Sequence, residues 1–138
     1  MKLKMSIYSD GASRGNPGPS AIAFIALTED GKMLKRFSKY VGTKTNNQAE
    51  YEALIAALEF ACEKAGQIVC HMDSELVVKQ MNREYRVRDA KIKSLWMKAD
   101  ELIQHFSKVT FVHVPRTDTQ IQAVDELANQ ILDAIHNG

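Results

Sequence analysis

Four carboxylates occupy positions that could bring them together. Asp10 ends the first predicted strand, Asp73 ends the fourth, and Glu50 lies in the first turn of a long predicted helix. Ligands of α/β sheets bind at the carboxyl ends of neighbouring strands, so we expect these three side chains to share one crevice. Asp125 has apolar residues three and seven positions later on the last predicted helix. That spacing places it on or beside the core-facing stripe rather than in open solvent.

A cluster of carboxylates needs a compensating positive charge. Two like charges about 4 Å apart repel by about 4 kcal/mol at an effective dielectric constant near 20. Taken singly, each carboxylate would more commonly be a turn former, a helix cap or a surface residue. Together they predict a site for hard divalent cations, because oxygen ligands select Mg²⁺ or Mn²⁺. Two such ions in one site are suited to in-line displacement at a phosphodiester.

Composition limits the class of protein. The chain has 138 residues, 45% hydrophobic and 25% charged, which predicts one domain over residues 1–138 with a core of its own. Its 18 basic and 17 acidic residues leave a net charge of +1, so overall charge does not indicate a nucleic-acid binder. No apolar run has the length of a membrane helix and no signal-peptide core is visible, so we expect a cytoplasmic protein. We also expect a monomer, and no protein partner is implied. Cys62 and Cys70 are predicted to be reduced and packed.

The first third of the chain reads as three strands. Leu3–Ser9 alternates polar and apolar residues, Ala21–Leu27 is a continuous apolar run, and Met33–Val41 follows a turn signal at Glu29–Gly31. A loop rich in glycine and proline, Gly11–Pro19, separates the first two. These segments predict an antiparallel meander.

The remaining chain alternates helices with strands. The predicted elements are a helix over 47–65 stopped by Gly66, a strand over 67–72, a short helix capped by Ser74, a helix over 91–106, a strand over 109–114 and a helix over 121–135. Helical crossovers make the last two strands parallel to the first. The fold class is therefore α/β, with a five-stranded mixed sheet and helices on both faces.

The segments that carry the four carboxylates resemble the motifs of type 1 ribonuclease H, in order and in spacing. The resemblance extends from about Leu3 to Ile135 and implies a ribonuclease H-like fold. It rests on residues 8–18 (YSDGASRGNPG), 45–51 (TNNQAEY), 72–74 (MDS) and 124–129 (VDELAN).

This resemblance implies an endonuclease that cuts the RNA strand of an RNA/DNA hybrid and leaves 3′-hydroxyl and 5′-phosphate ends. It implies two ions per site, Mg²⁺ or alternatively Mn²⁺, with Asp10 bridging both. Asp125 would help to hold the ion that activates the attacking water. Glu50 and Asp73 would hold the ion that faces the leaving oxygen.

The resemblance also implies contacts with sugar and phosphate. Short amides and hydroxyls can hydrogen-bond a ribose 2′-hydroxyl, the group that distinguishes RNA from DNA. For Asn46 and Asn47 the alternative role is helix capping. The residues implied in substrate binding are Ser13, Gly15 and Asn16 of the first loop, then Asn46, Asn47, Gln48 and Ser74.

Two features depart from the family pattern. The loop over 115–120 lacks the histidine that many members carry, and Arg116 is the nearest candidate to assist phosphate or product release. His113 is interpreted as a partly buried strand residue.

The chain also resembles a short form without the basic protrusion of some relatives, because the segment over residues 83–90 is too short to form one. Residues 79–98 nevertheless carry a net charge of +5, which indicates either a phosphate-facing patch or a solvated helix face. Trp96 is predicted to pack in the core.

Several functions remain open at this point. A nuclease of the same fold could also act on double-stranded RNA, or on DNA as resolvases and integrases do. The cluster Asn46–Gln48 favours recognition of a 2′-hydroxyl. A hybrid-binding module without catalysis would gain nothing from four clustered charges, and a phosphate-transfer enzyme that uses Asp10 alone would leave Asp125 unexplained.

Overall fold

The computed structural model describes residues 3–137, which form one five-stranded sheet and four helices. The strand order is β3-β2-β1-β4-β5, with the first three strands antiparallel and β4 and β5 parallel to β1. This topology confirms the predicted fold class. The elements are β1 (Leu3–Ser13), β2 (Gly18–Thr28), β3 (Met33–Lys44), α1 (Asn46–Ala61), β4 (Ala65–Met72), α2 (Glu75–Met81), α3 (Ala90–Ile103), β5 (Lys108–His113) and α4 (Thr119–Asn137).

The first hairpin is longer than the sequence pattern predicted. Strand β1 continues through Asp10 to Ser13, and its pairing with β2 extends to Ser13 opposite Ser20. Asp10 therefore lies within the strand, opposite Ala23, and does not end it. The predicted loop over 11–19 was too long, because the residues on either side of the turn are held by backbone pairing between β1 and β2. Only the segment between Ser13 and Gly18 turns.

Helix α1 also differs from its predicted bounds. Its N-terminus is closed by a capping box, in which the Thr45 hydroxyl accepts from Gln48 N–H and the Gln48 side chain accepts from Thr45 N–H. The helix ends at Ala61, whereas the periodicity predicted residue 65. Ala65 is instead the first residue of β4, fully buried and paired with Leu3, so sheet pairing overrides its helical propensity.

The helices cover both faces of the sheet, as predicted. Helices α1 and α3 share one apolar cluster with β1, β2 and β4, and α4 packs on the opposite face against β1 and β2. Trp96 is half-buried against the first cluster and donates its indole N–H to the Gln80 carbonyl, as the helical register indicated. Ile135 lies in the last turns of α4 and is 44% exposed.

Both cysteines are free thiols, with Cys70 buried and Cys62 half-buried. Within residues 3–137, no helix combines the length and the apolar character needed to cross a bilayer.

Candidate active site

Three of the predicted carboxylates converge at one end of the sheet. Tyr8 of β1 pairs with His71 of β4, so Asp10 and Asp73, each two residues further, lie next to each other. Glu50 enters from the first turns of α1. Asp10, Glu50 and Asp73 each offer a carboxylate oxygen, and these oxygens lie within 4.8 Å of one another. The compact acidic cluster thus lies where the parallel pairing of β1 with β4 ends and where α1 begins.

A glycine permits the close approach of α1 to β1. The backbone N–H of Gly11 donates to Glu50 Oε1 over 3.3 Å. A Cβ atom at Gly11 would lie 2.2 Å from the Ala49 carbonyl carbon and 2.5 Å from the Glu50 nitrogen. Since real Cβ atoms do not approach backbone so closely, glycine is required here to bring Glu50 against Asp10.

The carboxyl groups of the cluster are crowded together and largely buried. Asp10 is only 4% exposed. Burial, followed by the charges of Glu50 and Asp73, raises the pKa of the Asp10 carboxyl far above its usual range. Burial also raises the pKa of Glu50, with Asp73 and Asp125 adding to the effect. Without a cation, the cluster therefore retains protons at neutral pH.

The donor set fits a divalent cation. Glu50 Oε2 is buried and has no hydrogen-bond partner within residues 3–137. The nearest cationic group is Arg116, whose Nε lies 3.8 Å from Asp73 Oδ2 on a side chain that is 90% exposed. A buried carboxylate oxygen without a donor is an unusual feature of a folded protein. Converging carboxylate oxygens are the ligands that Mg²⁺ and Mn²⁺ prefer.

These pKa shifts predict how stability depends on pH. The folded state keeps protons on Asp10 and Glu50 at pH values where the unfolded chain, with a pKa near 4 for each group, has lost them. In EDTA, we therefore expect the free energy of unfolding to decrease as the pH rises from 5 to 8, by at most about 1.4 kcal/mol per pH unit for each retained proton. MgCl₂ should reduce this decrease, because the cation stabilises the ionised carboxylates. Urea titrations at several pH values, with and without MgCl₂, measure both effects.

The Asp10→Asn variant is the control for other titrating groups. Its stability should decrease less steeply with pH than that of the wild type. Identical slopes in the two proteins would contradict the assignment of the shifted proton to Asp10.

Asp125 approaches the cluster from α4. By strand alternation, Asp10 lies on the same face as Tyr8 and Ala12, which pack against that helix. The Asp125 carboxyl lies beside Asp10 and helps to raise its pKa. It is outside the three-residue group and solvent-exposed, so the expectation that it avoids open solvent was wrong. It lies at the solvent edge of the helix, next to the buried stripe of Val124, Ala128 and Leu132.

Known proteins resemble the chain over nearly its whole length. The family model described as "Reverse transcriptase-like" matches residues 8–131. Ribonuclease HI of Halobacterium salinarum is 40% identical over 131 residues, which cover 94% of this chain and 65% of that protein. The crystal structure of the RNase H1 from that archaeon has a TM-score of 0.89 at 39% identity, covering 95% of this chain and 98% of that one. The chain belongs to the type 1 ribonuclease H family.

Two other solved ribonuclease H structures agree with this assignment. The N-terminal RNase H domain of Rv2228c from Mycobacterium tuberculosis has a TM-score of 0.93 at 36% identity, covering 99% of this chain and 98% of that one. LC11-RNase H1, isolated from compost and solved in complex with an RNA/DNA hybrid, has a TM-score of 0.87 at 37% identity, covering 95% and 98%. The chain spans 65% of the archaeal ribonuclease HI and 36% of the mycobacterial bifunctional protein.

Three of the residues implied in substrate binding, Asn46, Asn47 and Gln48, lie at the start of α1, within four residues of Glu50. The Asn16 side chain accepts from Asn46 N–H over 3.0 Å, which ties the hairpin turn to the helix. Thr45 is the cap, so the alternative role of Asn46 and Asn47 as caps is wrong. Both residues form the first turn, Asn46 exposed and Asn47 half-buried. The Gln48 side-chain oxygen, Oε1, accepts from Thr45 N–H in the capping box.

The other implied residues have structural partners. The Ser13 hydroxyl donates to the Lys44 carbonyl over 2.8 Å and is hydrogen-bonded to Ser20. Gly15 has a φ of 120°, a conformation that favours glycine in the hairpin turn. Ser74 caps α2 through Val77 N–H, as predicted. His113 was expected to be partly buried, but it ends β5 and is exposed.

The basic segment over 79–98 is only partly neutralised. Lys79 pairs with Glu75, and Arg83 pairs with Asp100 while it lies over the Trp96 ring. Its five other basic side chains are all exposed and have no carboxylate partner within residues 3–137. They are Arg86, Arg88, Lys91, Lys93 and Lys98.

Sequence reasoning missed Asn129 and gave Arg14 no role of its own. Asn129 donates to Asp125 Oδ1 over 3.2 Å, and Arg14 contacts Asn129 from the hairpin turn. The spacing of Asn129 from Asp125, four residues on one helix, was a signal for the first contact. Nothing in the sequence indicated the second.

Proposed function

We propose that residues 1–138 form a single ribonuclease H domain that hydrolyses the RNA strand of RNA/DNA hybrids by two-metal-ion phosphodiester cleavage, leaving 3′-hydroxyl and 5′-phosphate ends. The observation that carries the proposal is the buried cluster of Asp10, Glu50 and Asp73, which holds an unpartnered carboxylate oxygen and no buried basic partner among the described residues. The likeness to LC11-RNase H1, solved with an RNA/DNA hybrid, supports the choice of substrate.

The four carboxylates would hold two Mg²⁺ ions, or alternatively Mn²⁺. Asp10 is the most buried of the four and has the other three carboxyls around it, so it is the residue suited to be shared between the ions. When bound, the ions supply Lewis-acid chemistry that activates water and stabilises charge on the phosphate oxygens. Asp10 and Glu50 give up their retained protons when the cations bind. Their function is to hold and orient charge at the scissile phosphate.

The polar groups at the start of α1 would recognise the RNA strand. Asn46 and Asn47 are free of the capping role and lie one turn before Glu50, so their amides can reach a 2′-hydroxyl near the cluster. The hairpin turn around Gly15 offers backbone that can approach a phosphate closely. Arg116, exposed beside Asp73, would assist phosphate or product release.

The unpaired basic side chains of 79–98 would contact the DNA strand. Replacing Arg86 and Arg88 by Gln should weaken hybrid binding and reduce the slope of log K against log salt concentration by about one for each phosphate that the protein no longer neutralises. Fluorescence anisotropy with a labelled hybrid, in the non-cleaving Asp10→Asn background, measures the slope. The matched control is Lys35→Gln with Lys39→Gln on exposed β3. Equal slopes for the two double variants would exclude a specific basic patch.

A cleavage assay tests the proposed function. Purified protein is incubated with a labelled RNA/DNA hybrid in MgCl₂, MnCl₂ or EDTA, beside single-stranded RNA, double-stranded RNA and double-stranded DNA. Metal-dependent cleavage of the RNA strand of the hybrid alone, with 3′-hydroxyl ends, supports the proposal. Cleavage of double-stranded RNA as well would broaden the substrate class. Binding of the hybrid without cleavage in either metal would overturn the enzyme and favour a binding module.

A further inference from the structure

Asp125 differs from the other three carboxylates in how it is held. Asp10 and Glu50 are fixed by burial, and Asp73 is mostly buried beside them. Asp125 is solvent-exposed and belongs to α4, on the other side of the sheet from α1. An exposed carboxylate loses rotamer freedom only if other groups hold it. The orientation of the Asp125 carboxylate toward Asp10 therefore depends on its neighbours on α4 and on the hairpin turn.

Besides Asp10, Asn129 contacts the Asp125 side chain. One turn later on α4, its Nδ2 donates to Asp125 Oδ1 over 3.2 Å and to the Asp125 backbone carbonyl over 3.0 Å. The amide thus bridges the carboxylate and the backbone of the same residue. This double contact restricts the rotation of the Asp125 carboxylate.

Arg14 fixes the orientation of that amide. Its Nη2 lies 3.3 Å from Asn129 Oδ1 and 3.4 Å from the Asn129 backbone carbonyl, and it pairs with Asp133 one turn further along α4. A guanidinium can only donate, so it holds the carbonyl end of the amide. The NH₂ end must then face Asp125. Arg14 also links α4 to the turn that follows β1, the strand that carries Asp10.

We propose that Arg14 and Asn129 form a positioning relay that holds the Asp125 carboxylate toward Asp10 and so completes the metal site. This inference rests on the proposed function, since it takes Asp125 as a metal ligand. Groups that orient metal ligands usually contribute a factor of about 10 to 100 in metal affinity. Neither residue touches the reacting atoms.

The test is calorimetric titration of MgCl₂ and of MnCl₂ into the purified 138-residue protein without nucleic acid. Asn129→Ala should bind metal about 10-fold more weakly than the wild type. Arg14→Ala should show a smaller decrease in affinity. The double variant should be no weaker than Asn129→Ala, because residues that act through one another are not additive. In cleavage assays, kcat should fall at low Mg²⁺ and recover at high Mg²⁺, while KM for the hybrid stays unchanged.

Asp133→Ala is the matched control, since it removes the ion pair of Arg14 on the same helix and leaves the amide in place. It should leave metal affinity unchanged, and thermal denaturation of every variant measures any effect on folding. Wild-type metal affinity in Asn129→Ala, or additive effects in the double variant, would overturn the relay alone. A wild type that neither binds metal nor cleaves the hybrid would overturn the proposed function together with it.

Discussion

Asp10→Asn should abolish cleavage and make the metal-free protein more stable. The variant keeps the shape of the side chain but removes the charge that two cations would share. Metal ions contribute several kcal/mol to such reactions, so kcat should fall by about 1,000-fold or more. In EDTA the wild type buries Asp10 beside Glu50 and Asp73, at a cost in stability that a neutral amide does not incur. Since about 1 kcal/mol corresponds to about 4 °C in a domain of this size, Tm should rise by several degrees.

Three measurements separate the effects of Asp10→Asn. Cleavage of the hybrid in MgCl₂ measures activity, anisotropy measures hybrid binding, and thermal denaturation in EDTA measures stability. Hybrid binding should remain near the wild-type level, since the basic segment and the start of α1 are unchanged. The control is Glu101→Gln, on the exposed surface of α3, which should alter none of the three. Cleavage that persists in a folded Asp10→Asn protein would refute the proposed site.

Gly11→Ala should have the largest effect on folding. The new methyl would lie 2.2 to 2.5 Å from three backbone atoms of Ala49 and Glu50, none of which can rotate away as a side chain could. Overpacking of a core costs about 1 to 3 kcal/mol even where side chains can adjust. Here α1 must move away from β1, so we expect the upper end of that range or more, and a decrease in Tm of about 10 °C. Glu50 moves with the helix, so activity at a permissive temperature should also fall.

Gly31→Ala is the control that separates crowding from backbone conformation. Gly31 has a φ of 91° in the β2–β3 turn and nothing within 4 Å of the added Cβ. Gly31→Ala should lower the free energy of unfolding by about 1 to 2 kcal/mol, because alanine disfavours the left-handed conformation. Activity should be unchanged at a temperature where the protein is folded. Thermal denaturation and cleavage rates of both variants provide the comparison. A Gly11→Ala protein as stable and active as the Gly31→Ala protein would contradict the close approach of α1 to β1.

Local patterns in the sequence determined most of the architecture. Continuous apolar residues identified β2, and helical spacing identified α1, α3 and α4, because side-chain periodicity follows directly from backbone geometry. Topology then followed from connection lengths, since short turns join antiparallel strands and helices join parallel ones. The order of elements and the strand directions were therefore predictable. The ends of elements were not, because Ala65 and the residues after Asp10 are held by partners distant in sequence.

The candidate site was likewise predictable from the sequence only in part. Asp10, Glu50 and Asp73 could be grouped from sequence because neighbouring parallel strands and the helix that lies between them in sequence meet at a predictable edge of the sheet, even though β1 continues three residues beyond Asp10. The sequence by itself thus determined the family, the fold class and the acidic residues of the candidate site. Only the tertiary structure decided that Gly11 admits Glu50, that Asp125 is exposed, and that Arg14 reaches Asn129 across 115 positions of the chain. Side-chain contacts of that range depend on how helices dock on the sheet, and docking is a property of the packed core rather than of any local pattern.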